Sequence, residues 1–451
     1  MTRPALLFAV LFVSAVLRFW GLGDESYWFD EIWSVTQVRG SLSDVLRSLA
    51  HSDVHPPLYT FLLWGWVRAL GEAEWATRLL SALVGLLAVA VTERLATELD
   101  RDRRTGLIAA GAVGLSAFAV TYAQETRSYS LLLLLSVLAT WRLVRLLDAP
   151  ASWRAAGLYV LAALLLVYTH VFGAFVLLAH GLFVLRWVPV LRLRVVALGA
   201  IVVVGFLPWV PVMLAQVGRV QQGFWIPRLD WRSPFFWLWT WGGYGIPAIL
   251  VWLVAVARGA AVPAPVTDGW RAKSRTLLAL LAGVPVVLPV VLSIVGEPIF
   301  HPKYAIVLLG PLAILAARGV LAVRRPAWRF GALSAAAIVL LSSVVLHVTL
   351  PRTKEQWREL SAHARALSTQ GVVVVAEAYN RTNLGFYGPD LAVRWLEPGD
   401  DSVQTLEGVS ELVYVQCHPA KGEHSEALDR AFHRVDEVSF RDARAVRYRR
   451  R

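Results

Sequence analysis

Two carboxylates among aromatic residues are the first candidates for chemistry. Asp30 and Glu31 are adjacent in the segment YWFDEIWS at residues 27–34. Because Tyr and Trp concentrate where a membrane meets water, we expect this segment at the membrane surface, where a carboxylate loses hydration and becomes more basic. Such a group suits general-base catalysis on a hydroxyl or an amine. A solvated acidic loop anchored by its aromatic residues is the alternative, and Asp24–Glu25 is a competing acidic pair.

A second candidate is the segment YAQETRSYS at residues 122–130, which lies between two apolar runs. Glu125 and Arg127 are therefore expected near the membrane edge, where ionisable side chains are costly unless they are paired or used. One interpretation is a local Glu125–Arg127 ion pair that ends two helices. The other is a carboxylate facing the first loop beside an arginine that grips a phosphate.

Two further segments carry residues suited to phosphate contact. His55 opens the run HPPLY, and the residue before a proline is held extended. Lys303 and Tyr304 end the run EPIFHPKY at the start of an apolar stretch. The alternatives are that His55 is only structural and that Lys303 extends to the lipid headgroups. His170, midway between two apolar runs, is interpreted as structural.

The elements that must position these residues are membrane-spanning helices. The chain has 451 residues, of which 57% are hydrophobic and only 17% are charged, against roughly 25% charged in soluble domains. Apolar runs recur through the first 350 residues, so the sequence predicts a polytopic α-helical membrane protein. The first run is interpreted as a retained signal anchor, because no small-residue cleavage site follows it.

About 20 apolar helical residues cross a membrane. By this criterion the sequence predicts eleven spans, at 4–22, 77–97, 105–123, 128–147, 155–170, 171–187, 195–215, 235–257, 276–295, 304–323 and 330–349. The segment His55–Leu70 is apolar but short, and it is interpreted as an interfacial helix in the first outer loop, residues 22–76.

Positive charge sets the orientation. The net charge is +12, from 44 Lys+Arg against 32 Asp+Glu, and Arg clusters such as those at 101–104 and 324–329 fall in loops on one side. The positive-inside rule places those loops in the cytoplasm, with the N-terminus inside and the C-terminus outside. The same rule explains the excess without a nucleic-acid partner. No GxxxxGK[ST] motif is present, which argues against an ATP-driven pump.

The last hundred residues have the composition of a soluble domain. Residues 357–367 show helical periodicity, and residues 372–376, 411–416 and 444–449 are β-prone runs. We therefore expect a transmembrane catalytic domain over residues 1–350 and a small extracytoplasmic α/β domain over residues 351–451.

The motifs occur in an order that resembles a known family. They are FDEIWS at 29–34, HPPLY at 55–59, a basic break at 100–104, YxxExRxYS at 122–130 and Lys303-Tyr304 after a Pro-rich loop. Together they resemble the GT-C glycosyltransferases, and more narrowly glycosyltransferase family 39 with its bacterial relatives, the protein O-mannosyltransferases and the lipid A aminoarabinose transferase. The first 150 residues carry most of the resemblance. It implies a GT-C fold of about eleven transmembrane helices with interfacial helices in the first outer loop.

The resemblance also implies site roles. Asp30 would be the base that deprotonates the acceptor, and Glu31 would be secondary, orienting Asp30. Glu125 would orient the acceptor or hold a cation.

The phosphate contacts implied by the resemblance come from other segments. His55, Arg127, Lys303 and Tyr304 fall where the donor phosphate is expected. These cationic and hydrogen-bonding groups are suited to stabilising the leaving phosphate. All these assignments require that the carboxylates and the cations line one cavity, which faces away from the cytosol.

The implied partners are a polyprenyl-phosphate sugar donor, a lipid, glycan or protein acceptor, and the membrane lipids of a bacterial plasma (inner) membrane. No cofactor is required, although Asp30 and Glu125 could ligate a divalent cation. A flippase or transporter of lipid-linked substrates without chemistry is the main alternative. A scaffold acting through its C-terminal tail is another.

Reporter fusions test the predicted orientation. Fusions at residue 72 should report the extracytoplasmic side and fusions at residue 102 the cytoplasmic side, because arginines resist translocation. Alkaline phosphatase and fluorescent-protein reporters at both positions measure this. The reverse pattern would contradict the orientation and the interfacial interpretation of His55–Leu70.

Overall fold

The computed structural model describes residues 3–221, 226–349, 354–417 and 424–451. The chain forms two compact units. The helical unit comprises residues 1–20, 40–71 and 77–350, and the sheet unit comprises residues 21–39, 72–76 and 351–451. Two pieces of the first loop thus belong to the unit that holds the C-terminal residues, which the sequence analysis did not predict. The expected boundary between residues 350 and 351 lies outside the described residues.

Helices make up most of the described part of the first 349 residues. They are α1 (Arg3–Phe19), α2 (Phe29–Gln37), α3 (Leu42–His51), α4 (Leu58–Leu70), α5 (Glu74–Asp100), α6 (Arg103–Gly114), α7 (Ala117–Ala123), α8 (Tyr129–Asp148), α9 (Trp153–Thr169), α10 (Gly173–Trp187), α11 (Arg192–Phe206), α12 (Val210–Gln221), α13 (Ser233–Trp241), α14 (Ile246–Ala261), α15 (Ser274–Val295), α16 (Leu309–Leu321) and α17 (Pro326–Thr349).

Length and composition identify the helices that can cross a membrane. Within the described residues, 6 segments qualify, or up to 8 if each of two bent helix pairs is one span. Three shorter apolar helices, α1, α9 and α10, coincide with the predicted spans 4–22, 155–170 and 171–187. A multi-pass helical membrane protein is therefore confirmed, whereas the count of eleven spans stays a prediction.

Two predicted spans are not straight helices. The span 105–123 bends by 60° between α6 and α7, where the side chain of Ser116 accepts a hydrogen bond from Ala119 N–H and starts a new helix. The span 235–257 bends by 86° between α13 and α14. There Gly243 and Tyr244 adopt positive φ values of 90° and 61°, which no α-helix contains. Hydropathy detects apolar runs but not these backbone turns.

The sheet unit has a mixed five-stranded sheet. Its elements after residue 354 are α18 (Trp357–Ser368), β1 (Val373–Glu377), α19 (Arg381–Tyr387), β2 (Val393–Leu396), α20 (Ser402–Thr405), β3 (Glu411–Cys417), α21 (Ser425–Ala431), β4 (Phe432–Phe440) and β5 (Ala443–Arg450). The strand order is β2-β1-β3-β5-β4, with β1 parallel to β2 and β3, and β5 antiparallel to β3 and β4. The central strands are continuous apolar runs because both faces of the sheet are covered. Strands thus occupy the three β-prone runs.

Helix α2 belongs to the core of the sheet unit. Tyr27, Ile32 and Val35 pack in one hydrophobic cluster with Trp357 and Leu384. Ile32, Val35 and Trp357 are fully buried there. The first-loop helix and the C-terminal residues therefore fold together as one hydrophobic core.

A buried ion pair joins three helices of the helical unit. The guanidinium of Arg318 on α16 donates to both carboxylate oxygens of Asp100 on α5, at 3.0 and 2.5 Å, and to Ser274 Oγ at 2.8 Å. The Arg318 and Asp100 side chains are only 1% and 0% exposed. Breaking such a pair by removing one partner strands the other charge in an apolar surrounding.

We therefore expect Arg318→Met to be strongly destabilising, by about 3–5 kcal/mol. Arg104→Met is the matched control, because Arg104 pairs with Asp102 on the surface with 68% of its side chain exposed; its loss should cost no more than about 1 kcal/mol. Thermal unfolding of the detergent-solubilised variants measures both. Equal unfolding midpoints would contradict a structural role of the buried pair.

Candidate functional site

Two cations of the helical unit lie beside the ring of Tyr129. The guanidinium carbon of Arg127 is 5.8 Å from the ring centroid, and Lys303 Nζ is 5.5 Å from it. Lys303 Nζ is also 5.9 Å from the ring of Tyr304. The lysine is only 5% exposed. Cations over aromatic faces in a sheltered position are well placed to hold an anion.

His170 lies at the centre of this group of side chains. Its ring centroid is 4.7 Å from that of Tyr304, 5.6 Å from that of His55 and 6.5 Å from that of Tyr129. The sequence analysis interpreted His170 as structural, because a single histidine between apolar runs carries no motif. The structure brings it together with His55, Arg127, Lys303 and Tyr304, which the sequence analysis had singled out. We call these five residues and Tyr129 the cation–aromatic cluster.

The two histidines of the cluster have different hydrogen-bonding partners. His55 Nδ1 is 2.9 Å from Asp53 Oδ1, which also accepts the His55 N–H at 3.1 Å. The carboxylate therefore holds the His55 proton on Nδ1. His170 Nδ1 instead accepts the backbone N–H of Phe172 at 3.2 Å, which places the proton of a neutral ring on Nε2. One ring then presents an acceptor nitrogen and the other a donor.

The turn that carries Glu125 and Arg127 is fixed by hydroxyl groups. Ser81 Oγ donates to Arg127 O at 3.1 Å and lies 3.1 Å from Tyr59 Oη. Thr77 Oγ1 and Thr126 Oγ1 are 2.8 Å apart. Helix α5 thus holds this turn directly, and α4 contacts Ser81 of α5 through Tyr59. Tyr59 is the tyrosine of the HPPLY motif, so its role here is to support the turn.

Glu125 is buried in the same turn. Its side chain is 7% exposed, and its carbonyl accepts the Arg127 N–H at 2.8 Å. A buried carboxylate at a helix break can orient a hydroxyl or amine or take part in proton transfer.

Lys303 follows a sharp turn after α15. A 3-10 helix at Pro302–Leu308 begins with His301, whose side chain accepts the Lys303 N–H at 3.3 Å. Trp241 Nε1 donates to Pro302 O at 3.0 Å. Pro302 is the first residue of this 3-10 helix, a position where the missing N–H of proline is not needed, and Lys303 follows it directly.

Asp30 and Glu31 belong to the sheet unit. Both lie in the first turn of α2, where a helix favours negative charge. Asp30 is partly exposed, whereas Glu31 is fully buried and its Oε2 is 3.1 Å from Lys354 Nζ. Glu31 is therefore held in an ion pair, a contact that the sequence analysis did not predict.

Carboxylates and histidines do not form an evident metal centre in the part of the chain that the structure describes. No group of three or more His, Cys, Asp or Glu side chains there is arranged to hold a metal ion. Glu125 and Asp30 belong to different units, so the dependence on a divalent cation stays a prediction.

An apolar groove runs between α10 and α15. It measures about 400 Å³ and is lined only by apolar residues, including Leu178, Leu182, Val287 and Val291. Leu178 and Val291 lie toward the start of α10 and the end of α15. Phe172, two residues after His170, lies at the start of α10, and its ring centroid is 6.3 Å from that of Phe300. Among the described residues that line the groove, none belongs to the cation–aromatic cluster.

Comparison with known proteins gives a partial family match and a shared fold. Residues 54–212 match the family described as dolichyl-phosphate-mannose-protein mannosyltransferase. This segment contains His55, Glu125, Arg127 and His170. No curated protein matches the chain significantly.

Solved structures share the architecture over nearly the whole chain. ArnT from Cupriavidus metallidurans in the apo state aligns with a TM-score of 0.64 and 15% identity, covering 98% of both chains. The same protein bound to undecaprenyl phosphate aligns with a TM-score of 0.62 and 14% identity, covering 99% of this chain and 98% of that one. Apo oligosaccharyltransferase from Archaeoglobus fulgidus aligns at 0.59 and 9% identity, covering 94% of this chain and 70% of that one. At these identities the solved structures show the fold, which is the one that the resemblance to the GT-C glycosyltransferases implies.

Proposed function

We propose that this protein is a membrane glycosyltransferase that moves a sugar from a polyprenyl-phosphate donor to an acceptor at the extracytoplasmic face of a bacterial inner membrane. The observation that carries the proposal is the cation–aromatic cluster, where Arg127 and Lys303 lie within 6 Å of one tyrosine ring. The same helical unit also has the apolar groove between α10 and α15. A phosphate attached to a long hydrocarbon matches this combination of charge and apolar surface.

The cluster is suited to the phosphate of such a donor. Arg127 offers a planar guanidinium, Lys303 a compact charge, and Tyr304 a hydroxyl that can donate a hydrogen bond. The groove between α10 and α15 accommodates part of the polyprenyl chain through van der Waals contacts, since the bilayer that the chain leaves is as apolar as the groove itself. Two of the similar solved structures contain such a lipid, undecaprenyl phosphate in ArnT and a dolichol-phosphate in AglB from Archaeoglobus fulgidus, which supports this donor class.

The proposed reaction is a displacement at the anomeric carbon. A hydroxyl or amine of the acceptor forms a bond to that carbon while the bond from carbon to phosphate oxygen breaks, and the electron pair leaves with polyprenyl phosphate. Asp30 takes the acceptor proton, Glu31 orients the helix turn that carries Asp30, and Glu125 orients the acceptor. Arg127 and Lys303 stabilise the charge that develops on the departing phosphate.

The class of acceptor is a lipid, a glycan or a protein, and the sugar is a hexose or a pentose. Lipid and glycan profiling of a strain that lacks the protein identifies both together, because the unmodified acceptor accumulates as the product disappears. A flippase without chemistry would instead leave the lipid-linked donor trapped on the cytoplasmic side.

Asp30→Asn should abolish sugar transfer, with a loss of about 10²–10⁴-fold, since general-base catalysis contributes that much. The measurement is restoration of the missing product in the deletion strain. Asp24→Asn is the matched control, because Asp24 is an exposed carboxylate of the same loop and should restore wild-type levels. If Asp30→Asn restores the product as well as Asp24→Asn does, Asp30 is not the base.

Lys303→Ala should weaken donor binding about 10–100-fold, since a hydrogen bond to a charged group is worth roughly 1.5–3 kcal/mol. Binding of undecaprenyl phosphate to the purified protein measures this. Lys303→Arg should keep most of the affinity, and Lys273→Ala, which removes an exposed lysine, should keep all of it. An unchanged dissociation constant in Lys303→Ala would assign the lysine to lipid headgroups.

A further inference from the structure

The hydroxyl of Tyr387 joins both pieces of the first loop that lie in the sheet unit. It accepts the backbone N–H of Tyr27 at 2.6 Å and donates to Glu74 Oε1 at 2.9 Å. Burial, reinforced by the Glu74 carboxylate, raises the pKa of Tyr387 well above its ordinary value. The phenol therefore keeps its proton at any physiological pH and acts as donor and acceptor at once. Tyr27 directly precedes the N-cap residue of α2.

A second set of C-terminal contacts fixes the same segment by charge. Lys354 pairs with Glu31 at 3.1 Å, and Arg441 pairs with Glu25 at 2.8 Å. Arg358 donates to the carbonyl of Asp24 at 2.9 Å. The Glu31 carboxylate is fully buried, so loss of Lys354 would leave a buried charge without its cationic partner.

The apolar face of α2 fixes its rotation. Ile32 and Val35 are fully buried in the core formed with Trp357 and Leu384, and Glu31 is fully buried on the same side. Asp30 remains partly exposed. A helix held by core packing, by an ion pair and by a hydrogen bond at its start has one orientation, and so does the carboxylate that it carries.

We propose that the C-terminal residues of the sheet unit position the base Asp30, with Tyr387 and Lys354 as positioning residues, so that this domain is a part of the catalytic apparatus. The inference rests on the proposed function of Asp30. It assigns to Tyr387 an effect on turnover through α2 and none on the binding of the donor phosphate.

Tyr387→Phe tests the inference, because it removes only the hydroxyl that bridges Tyr27 and Glu74. Tyr448→Phe is the matched control: its hydroxyl also donates to a carboxylate, Asp429, at 2.9 Å, but within the C-terminal fold. We expect Tyr387→Phe to lower kcat at least 10-fold while the affinity for undecaprenyl phosphate and the unfolding midpoint stay as in Tyr448→Phe. Tyr448→Phe should keep wild-type kcat.

Lys354 provides an independent variant. Lys354→Met should lower kcat in the same way, and Lys354→Arg should restore it, because arginine can re-form the pair with Glu31. A fall in kcat that is equal in Tyr387→Phe and Tyr448→Phe, or one that merely follows the loss of folded protein, would overturn the inference. An inactive wild-type protein, or an active Asp30→Asn variant, would instead overturn the proposed function.

Discussion

Where a helix breaks inside an apolar bundle, its free backbone carbonyls need hydrogen-bond donors. The position of the candidate site depends on which side chains supply those donors. Arg18 of α1 provides them: its guanidinium donates to Gly114 O at 3.0 Å and to Val113 O at 3.3 Å, where α6 ends. In return, Gln124 Nε2 donates to the carbonyls of Leu17 and Trp20 where α1 ends. This exchange ties α1 to the turn that begins at Gln124 and carries Glu125 and Arg127.

This exchange of hydrogen bonds also explains why residue 85 is a glycine. A Cβ atom on Gly85 would lie 3.1 Å from Ala123 Cβ and 3.3 Å from Arg18 Nε. Helix α5 therefore approaches the guanidinium and the end of α7 closely only because residue 85 has no side chain. Close approach of α5 is what brings Thr77 and Ser81 into hydrogen-bonding distance of the turn from the other side. The turn is thus fixed by two helices through polar contacts in an otherwise apolar bundle.

The parts that the sequence predicted are those determined by local pattern. Apolar runs located the helices, and polar residues at the ends of such runs are rare enough that His55, Arg127, Lys303 and Tyr304 stood out. The structure brings these four together, while their binding role stays a prediction. Contacts between distant segments were not predictable: His170 reaches Tyr304 across more than a hundred residues. Tyr387, in a tail without any motif, reaches Tyr27 across 360.

The chemistry of the two histidines shows why those unpredicted contacts matter. A sugar donor linked through a phosphate diester gains negative charge at the phosphate when the sugar leaves, so an efficient site must bind the product-like state more strongly than the donor. In the proposed reaction, Arg127 and Lys303 attract both states. The ring of His55 has its Nδ1 proton held by Asp53, whereas His170 presents its Nε2 proton as a hydrogen-bond donor. In the proposed reaction, the His170 donor adds to the two cations, and its hydrogen bond would strengthen as negative charge grows on the departing phosphate.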